Sequence, residues 1–572
     1  MKKYTLLCFL LLLQTLCLWA APRSREQMLL EAKQILMKTN WNAPELAARA
    51  TVSTPEMLRQ ESQLAVIGYQ QGGFAIIASD DRINAVLGYC SGQYNEQRMP
   101  PAMLWWLSTM NAAIETRLQN NLLGATVKPA DSNLPATVSP MLSCTWDQHA
   151  PYNNQCPVDV TDNTKRYVTG CVATVMAQLM FHYQFPAQPT ATIPGYSYHP
   201  NADPSQDASI PDLEPTPFVW ANMLAKYKAG QYSEEQGNAV ATLMYYCGAA
   251  AKMIYGESSS STLLDAVNGF NKYLNYSAKY YERSHISDSE WMKLVFGELA
   301  NNHPVGYGGI NMSKTMGHAF IFDGYDEEGR VHVNWGWNGS CDGYYDINTL
   351  KVESVGDFPS EQTLCFARPL NNELNRIPYS SQWTANITGD QPISVSGSKL
   401  VIAIITCHNI DAEPFSGKLA LALAPEAGEV KYYPLSQELQ NFNYHEGVTL
   451  SNFSFPISDI PEGKSRIYMV SKDNRETSWQ PMHSGETGVA CLDLERTGTK
   501  IAYSKQNSSW ITAIKGIEVS APTTQAGKQT IVYDAMGKPL QRVNGNGATL
   551  QQLPYKGLLI IKKGNRTIKV SK

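Results

Sequence analysis

One cysteine in this chain opens a helix. Thr169-Gly170-Cys171 leads into Val172, Val175, Met176, Leu179, Met180 and Tyr183, and Pro186 closes the run. Those positions follow the i, i+3, i+4, i+7 spacing of a buried helical face. The spacing predicts Cys171 at or beside the first turn, where unsatisfied N–H groups and the macrodipole favour an anion. A thiol held there is drawn toward the thiolate, its nucleophilic form. Taken alone, a cysteine at a helix start serves equally well as a small apolar residue.

A thiolate that attacks needs a proton carrier within hydrogen-bond reach, usually histidine. Of ten histidines, His318 stands out in Gly317-His318-Ala319-Phe320-Ile321-Phe322-Asp323-Gly324. This reads as a strand with His318, Phe320 and Phe322 on one face. Asp326-Glu327-Glu328-Gly329 turns the chain, and Val331-His332-Val333-Asn334-Trp335-Gly336-Trp337 returns antiparallel. The return brings Asn334 and Trp335 close to His318, the Asn carbonyl to hold the imidazole and the Trp to shield it. A core histidine beside packed aromatics is the competing reading. His182 is a rival base, but it lies three turns along the Cys171 helix. Acyl transfer also needs oxyanion donors. The Cys171 backbone N–H can supply one, and Gln148, in Asp147-Gln148-His149-Ala150-Pro151-Tyr152-Asn153, can supply a side-chain donor from a loop.

Together these residues resemble the streptopain family of bacterial cysteine peptidases. The resemblance rests on Thr-Gly-Cys-Val-Ala-Thr-Val-Met-Ala-Gln-Leu-Met at 169–180, Gly-His-Ala-Phe-Ile-Phe-Asp-Gly at 317–324 and His-Val-Asn-Trp-Gly-Trp at 332–337. Tyr255-Gly256-Glu257-Ser258-Ser259-Ser260 and the Gln148 loop also match. It implies an α+β, papain-like fold, with a helical half carrying Cys171 and a twisted antiparallel sheet carrying His318. It implies Cys171 as nucleophile, His318 as base and then acid, Gln148 in the oxyanion hole, and Asn334 and Trp335 orienting and sheltering the histidine. The implied substrates are proteins, with a bulky apolar residue preferred at P2, and no metal or cofactor is expected. Cys144 and Cys156 stand near the oxyanion loop, where pairing with each other or with Cys171 would make activity redox-sensitive.

The elements around these residues suggest several domains, since 572 residues exceed what one core usually supports. Lys2-Lys3, the apolar run Leu6–Leu13 and Ala20-Ala21 read as a secretory signal peptide over 1–21. The run is shorter than the roughly 20 residues of a spanning helix. Residues 22–138 hold a helix pattern at Met28–Leu36, a hairpin Leu64–Tyr69/Phe74–Ala78 around Gly72-Gly73, and a helical run Met103–Leu118. This region is similar to the family's inhibitory propeptide, with a cuttable strap within 124–142. The peptidase domain spans 139–369, and short β runs over 370–508 suit an Ig-like β-sandwich. Residues 509–572 resemble the C-terminal sorting domains of type IX secretion cargo, through Val-Tyr-Asp-x-x-Gly-Lys at 532–538 and Leu553-Pro554-Tyr555-Lys556-Gly557. That resemblance implies the type IX machinery as a partner and a secreted or cell-surface location.

Forty-six Lys and Arg against 51 Asp and Glu, with a pI near 6.1, argue against nucleic acid as a partner. The nine cysteines after the signal peptide are scattered without CxxC or Cys/His spacing, so no zinc site is indicated, and their odd number leaves at least one thiol free. Two other functions stay open. The β modules could make the chain a surface adhesin. Alternatively, Cys-His chemistry could transfer acyl groups to amines, as transglutaminases do, although Asp323 and Asp326 sit in the wrong part of the hairpin for that.

Overall fold

A computed structural model describes residues 22–38, 53–119, 133–286, 288–310, 317–347, 361–372, 375–483, 489 and 491–506, together with four strands between 530 and 571. The expected signal peptide over 1–21, the strap as far as residue 132 and the turns of the C-terminal region lie outside the described residues. The chain divides into two units. The first comprises Met1–Ser381 with Asn409–Phe415 and Gln440–Glu446; the second comprises Gln382–His408, Ser416–Leu439 and Gly447–Lys572.

The first unit runs α1 (Arg25–Met37), β1 (Glu56–Gln60), β2 (Leu64–Gly68), β3 (Phe74–Ala78), β4 (Val86–Cys90), α2 (Pro101–Gln119) and α3 (Cys171–Tyr183). It continues with the small pair β5 (Tyr196–Tyr198) and β6 (Ala208–Ile210), then α4 (Glu234–Ala250), α5 (Leu263–Tyr273), β7 (Tyr276–Glu282) and α6 (Asp288–Ala300). β8 (Val305–Ile310), β9 (Gly317–Tyr325), β10 (Val331–Asn334), β11 (Gly343–Tyr345) and β12 (Glu361–Pro369) complete it. The α+β expectation holds.

The hairpin expected at 64–78 forms, with Gly68 opposite Phe74 and the turn glycines Gly72 and Gly73 at φ 116° and 88°. Those angles lie where a Cβ is penalised, which is why glycine stands there. Both strands are fully buried because each face has its own helix. Leu64, Val66, Phe74 and Ile76 share a core with Trp106, Leu107 and Met110 of α2. Ala65, Ile67, Ala75 and Ile77 share another with Met28, Ala32 and Ile35 of α1. Burial on two faces explains why these strands read as unbroken apolar runs rather than alternating ones.

Strand order in the main sheet is β1-β2-β3-β4-β11-β10-β9-β8-β12-β7, antiparallel throughout. The N-terminal four-stranded sheet and the sheet that carries His318 are therefore one. They join at β4 and β11, where Gly88, Tyr89 and Cys90 face Tyr345, Tyr344 and Gly343. A side chain at Gly343 would meet the Tyr89 carbonyl oxygen at 2.3 Å, so glycine permits this seam. The C-terminal end of the strap is also pinned to the sheet. Val138 exchanges backbone hydrogen bonds with Tyr325, and the Leu142 N–H donates to Asp323.

The second unit is built of β-strands. β13 (Trp383–Ser396), β14 (Lys399–Asn409) and β18 (Gly447–Pro456) form one sheet. β15 (Phe415–Pro425), β16 (Lys431–Pro434), β19 (Gly463–Asp473), β20 (Gln480–Pro481), β21 (Cys491–Thr497) and β22 (Lys500–Gln506) form another; the last three residues of β17 (Leu439–Phe442) group with the first unit. β23 (Thr530–Asp534), β24 (Pro539–Val543), β25 (Leu558–Lys563) and β26 (Arg566–Ser571) form a four-stranded sheet in the order β24-β23-β25-β26. Among the described residues, no helix is long and apolar enough to cross a membrane.

Candidate active site

Cys171 is the first residue of α3, and ten of the thirteen residues of that helix are buried, so the helix is fixed as a core element rather than a surface one. Gly170 caps it at φ 84°. That angle lies in the left-handed region where a Cβ is penalised, so glycine is what brings the backbone into the helix this way. The approach is secured from the 255–260 segment: the Ser259 hydroxyl donates to the Val168 carbonyl at 2.7 Å and accepts from the Gly256 N–H at 3.1 Å.

His318 stands at the start of β9, its imidazole placed so that it and the Cys171 thiol act on each other's charge. Its Nε2 lies 3.1 Å from the main-chain oxygen of Trp335. A carbonyl only accepts, so Nε2 carries a proton and Nδ1 is left to face the thiol. Burial pushes the Cys171 pKa up, but the charge and hydrogen bond of His318, with backbone hydrogen bonds from Ala319 and Val172, bring it below the ordinary thiol value. Burial pushes His318 down, and the Cys171 charge, the hydrogen bond to it and the Trp335 carbonyl raise it above the ordinary imidazole value. Each partner favours the charged form of the other, so the pair is set to exist as thiolate and imidazolium.

The contrast with the other thiols is clear. Burial lifts Cys144, Cys156, Cys247, Cys365, Cys407 and Cys491, with Cys156, Cys365, Cys407 and Cys491 near 12. Cys90 is raised by a hydrogen bond with Cys341 across the β4–β11 seam and by burial. All nine described cysteines are unbridged, Cys144 and Cys156 included, and Cys171 is the one that is not fully buried.

The structure differs from expectation at Asn334. Its side chain does not hold the imidazole. Nδ2 donates to the Cys144 carbonyl at 2.9 Å, and Oδ1 accepts from Gly336 N–H at 3.0 Å and Gln178 Nε2 at 3.3 Å. The register shift between His332 and Val333 carries the chain so that the Trp335 main chain meets His318 instead. Trp335 is fully buried, its ring 4.7 Å from Phe320 and its Nε1 bonded to the Cys341 carbonyl. Its N–H donates to Asp342, a carboxyl that burial pushes up to about 7.

Gln148 is buried, and its main-chain oxygen accepts from the Thr169 N–H at 3.1 Å, which fixes the loop two residues before Cys171. Its side-chain amide makes no hydrogen bond with another described residue, which leaves it available to a substrate oxygen. Gln148→Ala should lower kcat about 10²–10³-fold with little change in KM, the signature of a lost oxyanion donor. Steady-state hydrolysis of a peptide substrate measures the split.

Asp323 and Asp326 are committed elsewhere. Asp323 pairs with His332 Nδ1 at 2.5 Å, and Asp326 accepts from Arg330 and Tyr89. Neither completes a Cys-His-Asp triad with His318. His182 lies partly buried on α3, held below the ordinary imidazole value by burial.

Gln178 was not anticipated. Its Oε1 accepts from the Trp146 N–H at 3.2 Å and its Nε2 donates to Asn334, so one amide ties α3, the 144–148 loop and β10 together. The available signal was a polar residue inside the apolar run of α3. Gln178→Leu strands buried partners and should destabilise the Cys171→Ala protein by about 2–4 kcal/mol in urea unfolding.

Residues 146–345 match the Peptidase C10 family, and residues 20–114 match the Spi protease inhibitor family. The chain is 26% identical over 531 residues to the thiol protease/hemagglutinin PrtT of Porphyromonas gingivalis, covering 88% of this chain and 60% of that protein. It is 30% identical over 313 residues to streptopain of Streptococcus pyogenes, covering 52% of this chain and 76% of streptopain. A prointerpain A fragment from Prevotella intermedia is similar at 37% identity and a TM-score of 0.49, over 55% of this chain and 97% of the fragment. The chain thus spans less than two thirds of PrtT and three quarters of streptopain. On the streptopain match and the residues that build the site, the chain belongs to the Peptidase C10 family.

Proposed function

We propose that this chain is the exported zymogen of a cysteine endopeptidase that acts on proteins. The observation that supports it most is the pairing of Cys171, at a helix N-terminus, with an imidazole whose other nitrogen is held by the Trp335 carbonyl. The Cys171 sulfur attacks a peptide carbonyl, and the Cys171 N–H and the Gln148 amide face the developing oxyanion. His318 gives its proton to the leaving amine, then takes one from the water that hydrolyses the acyl-enzyme. Trp335 and Asn334 act as positioning residues, one through its main-chain oxygen and one through the loop it braces.

Residues 22–138 serve as the inhibitory propeptide, a reading supported by the inhibitor-family match over 20–114. Residues 139–369 form the peptidase domain, 370–508 an Ig-like module, and 509–572 a sorting domain for type IX export, with 1–21 as signal peptide. The adhesin reading is less well supported, because the family matches and the reactive side chains fall before residue 346.

Activation should cut before Pro135 rather than anywhere in 124–142, leaving residues 135–138 on the mature enzyme. Backbone and side-chain bonds hold 135–142: the Tyr325 hydroxyl donates to the Pro135 carbonyl, Val138 pairs with Tyr325, and Met141 donates to Asp323. Proteases take segments that can leave the fold, and these cannot do so cheaply. Incubating wild type and Cys171→Ala under reducing conditions, with intact mass and N-terminal sequencing, tests both points. Self-processing by wild type alone, at a bond before Pro135, is expected. Equal processing of the variant would remove the zymogen reading.

A further inference from the structure

Away from the catalytic pair, Glu282, His285 and His445 present ligand atoms that all lie within 4.8 Å of one another. All three belong to the first unit, since the 440–446 loop groups with it. Glu282 is the last residue of β7, and Arg283–His285 make a single 3-10 turn. The turn brings the His285 ring back beside the Glu282 carboxylate. Between them Arg283 turns the other way, its guanidinium over the Trp291 ring and hydrogen bonded to Gln362, so its charge is directed elsewhere.

His445 reaches the pair from a loop held in one conformation. It sits at φ 65°, a strained angle for a residue with a side chain. Its N–H donates to the Asn409 carbonyl at 2.8 Å, and the Asn409 N–H donates to the Glu446 carbonyl at 2.8 Å. Fully buried Asn409 also ties down the loop through the Phe442 carbonyl. The neighbouring Tyr444 stacks on the His445 ring at 4.0 Å, and its hydroxyl donates to Glu282 Oε2 at 2.6 Å. The Ser284 hydroxyl donates to Oε1. A carboxylate offers about four lone-pair sites, so these bonds orient Glu282 and leave electron pairs for a cation.

We propose that Glu282, His285 and His445 bind a divalent transition-metal ion of the zinc class, which clips the 440–446 loop to the end of β7. Two imidazoles and one carboxylate suit zinc, with a fourth position left to water, and do not suit calcium or magnesium, which take oxygen ligands. Three residues separated by up to 163 positions converge on one point, preset by backbone strain and by hydroxyls that aim the carboxylate. This clip is independent of the peptidase reading and uses none of its residues.

The test uses the full chain carrying Cys171→Ala, which removes the reactive thiol. Protein stripped with a chelator is dialysed against zinc, and bound metal is counted beside His445→Ala, His285→Ala and Glu282→Gln. One zinc per chain is expected, with affinity at least about tenfold weaker in each variant. Zinc should raise the Tm of the parent and not that of His445→Ala. His445 is exposed, so that variant should keep the parent circular dichroism. Cobalt should give visible d–d bands without the intense thiolate charge-transfer band. Unaltered zinc binding by His445→Ala, a cobalt spectrum of thiolate type, or no retained zinc in the parent would each overturn the site.

Discussion

Replacing Cys171 with alanine should lower kcat/KM for a peptide substrate by about 10⁵–10⁶-fold, the scale on which removing a nucleophile acts. The fold should survive. The side chain is half-buried at the first turn of α3, the Gly170 cap and the buried stripe Val172–Phe181 do not depend on the sulfur, and alanine is a good helix former. Residual rate comes only from binding and from the oxyanion donors, because no other described thiol is placed beside His318. Circular dichroism and urea unfolding beside the kinetics separate chemistry from stability. A variant that folds and keeps more than about a hundredth of the wild-type rate would mean that another group does the attacking.

The second large effect is at His318. His318→Ala should cost a similar factor in kcat/KM and should also change the thiol itself. In wild type the imidazolium holds the Cys171 pKa below the ordinary thiol value against the upward push of burial. Thiolate therefore persists as the pH falls through the range where an unperturbed cysteine is already protonated. Without His318 burial is left as the largest influence, so the thiol pKa should rise above the ordinary value and alkylation by iodoacetamide near pH 6 should slow by at least about tenfold. The activity of wild type should be bell-shaped in pH. Its acid limb is loss of the thiolate, displaced downward; its alkaline limb is loss of the imidazolium, displaced upward. Both limbs belong to the coupled pair rather than to either residue. Measuring the second-order alkylation rate across pH for both proteins checks the shift. An unchanged profile in His318→Ala would show that the histidine does not set the thiol.

The parts of this molecule that were legible in its sequence are those written in short-range pattern. The 3.6-residue stripe after Gly170 announces α3, and the paired apolar runs around Gly72-Gly73 announce a hairpin, because side-chain period and turn chemistry are local. Cys171 and His318 could be named because each sits in a distinctive local run. What holds His318 could not, since the acceptor is a main-chain oxygen, and every residue has one. The shift between His332 and Val333 decides that Trp335, and not the Asn334 side chain, meets the ring, and a one-residue change of register exchanges faces.

Non-local pairings were equally silent. Nothing in Gly88-Tyr89-Cys90 or Gly343-Tyr344-Tyr345 says that they pair across some 250 positions, though this seam makes the propeptide and peptidase strands one sheet. Gln178 was visible as a polar residue among apolar ones, but its partners lie on two other segments, the 144–148 loop and β10. Glu282, His285 and His445 carry no motif spacing at all, because two lie on one turn and the third on a distant loop. In each case the missing information is which segments meet, and tertiary packing decides that.

The most direct measurement is labelling of the processed protein with an epoxide thiol trap under reducing conditions, read by intact mass and peptide mapping. A single adduct on Cys171 is expected, with loss of all activity at one equivalent. The buried, raised thiols should stay unmodified, and Cys171→Ala and His318→Ala should take no label on the same timescale. Activity that persists after Cys171 is fully modified, or label distributed among the other cysteines while Cys171 stays free, would contradict the assignment of the nucleophile.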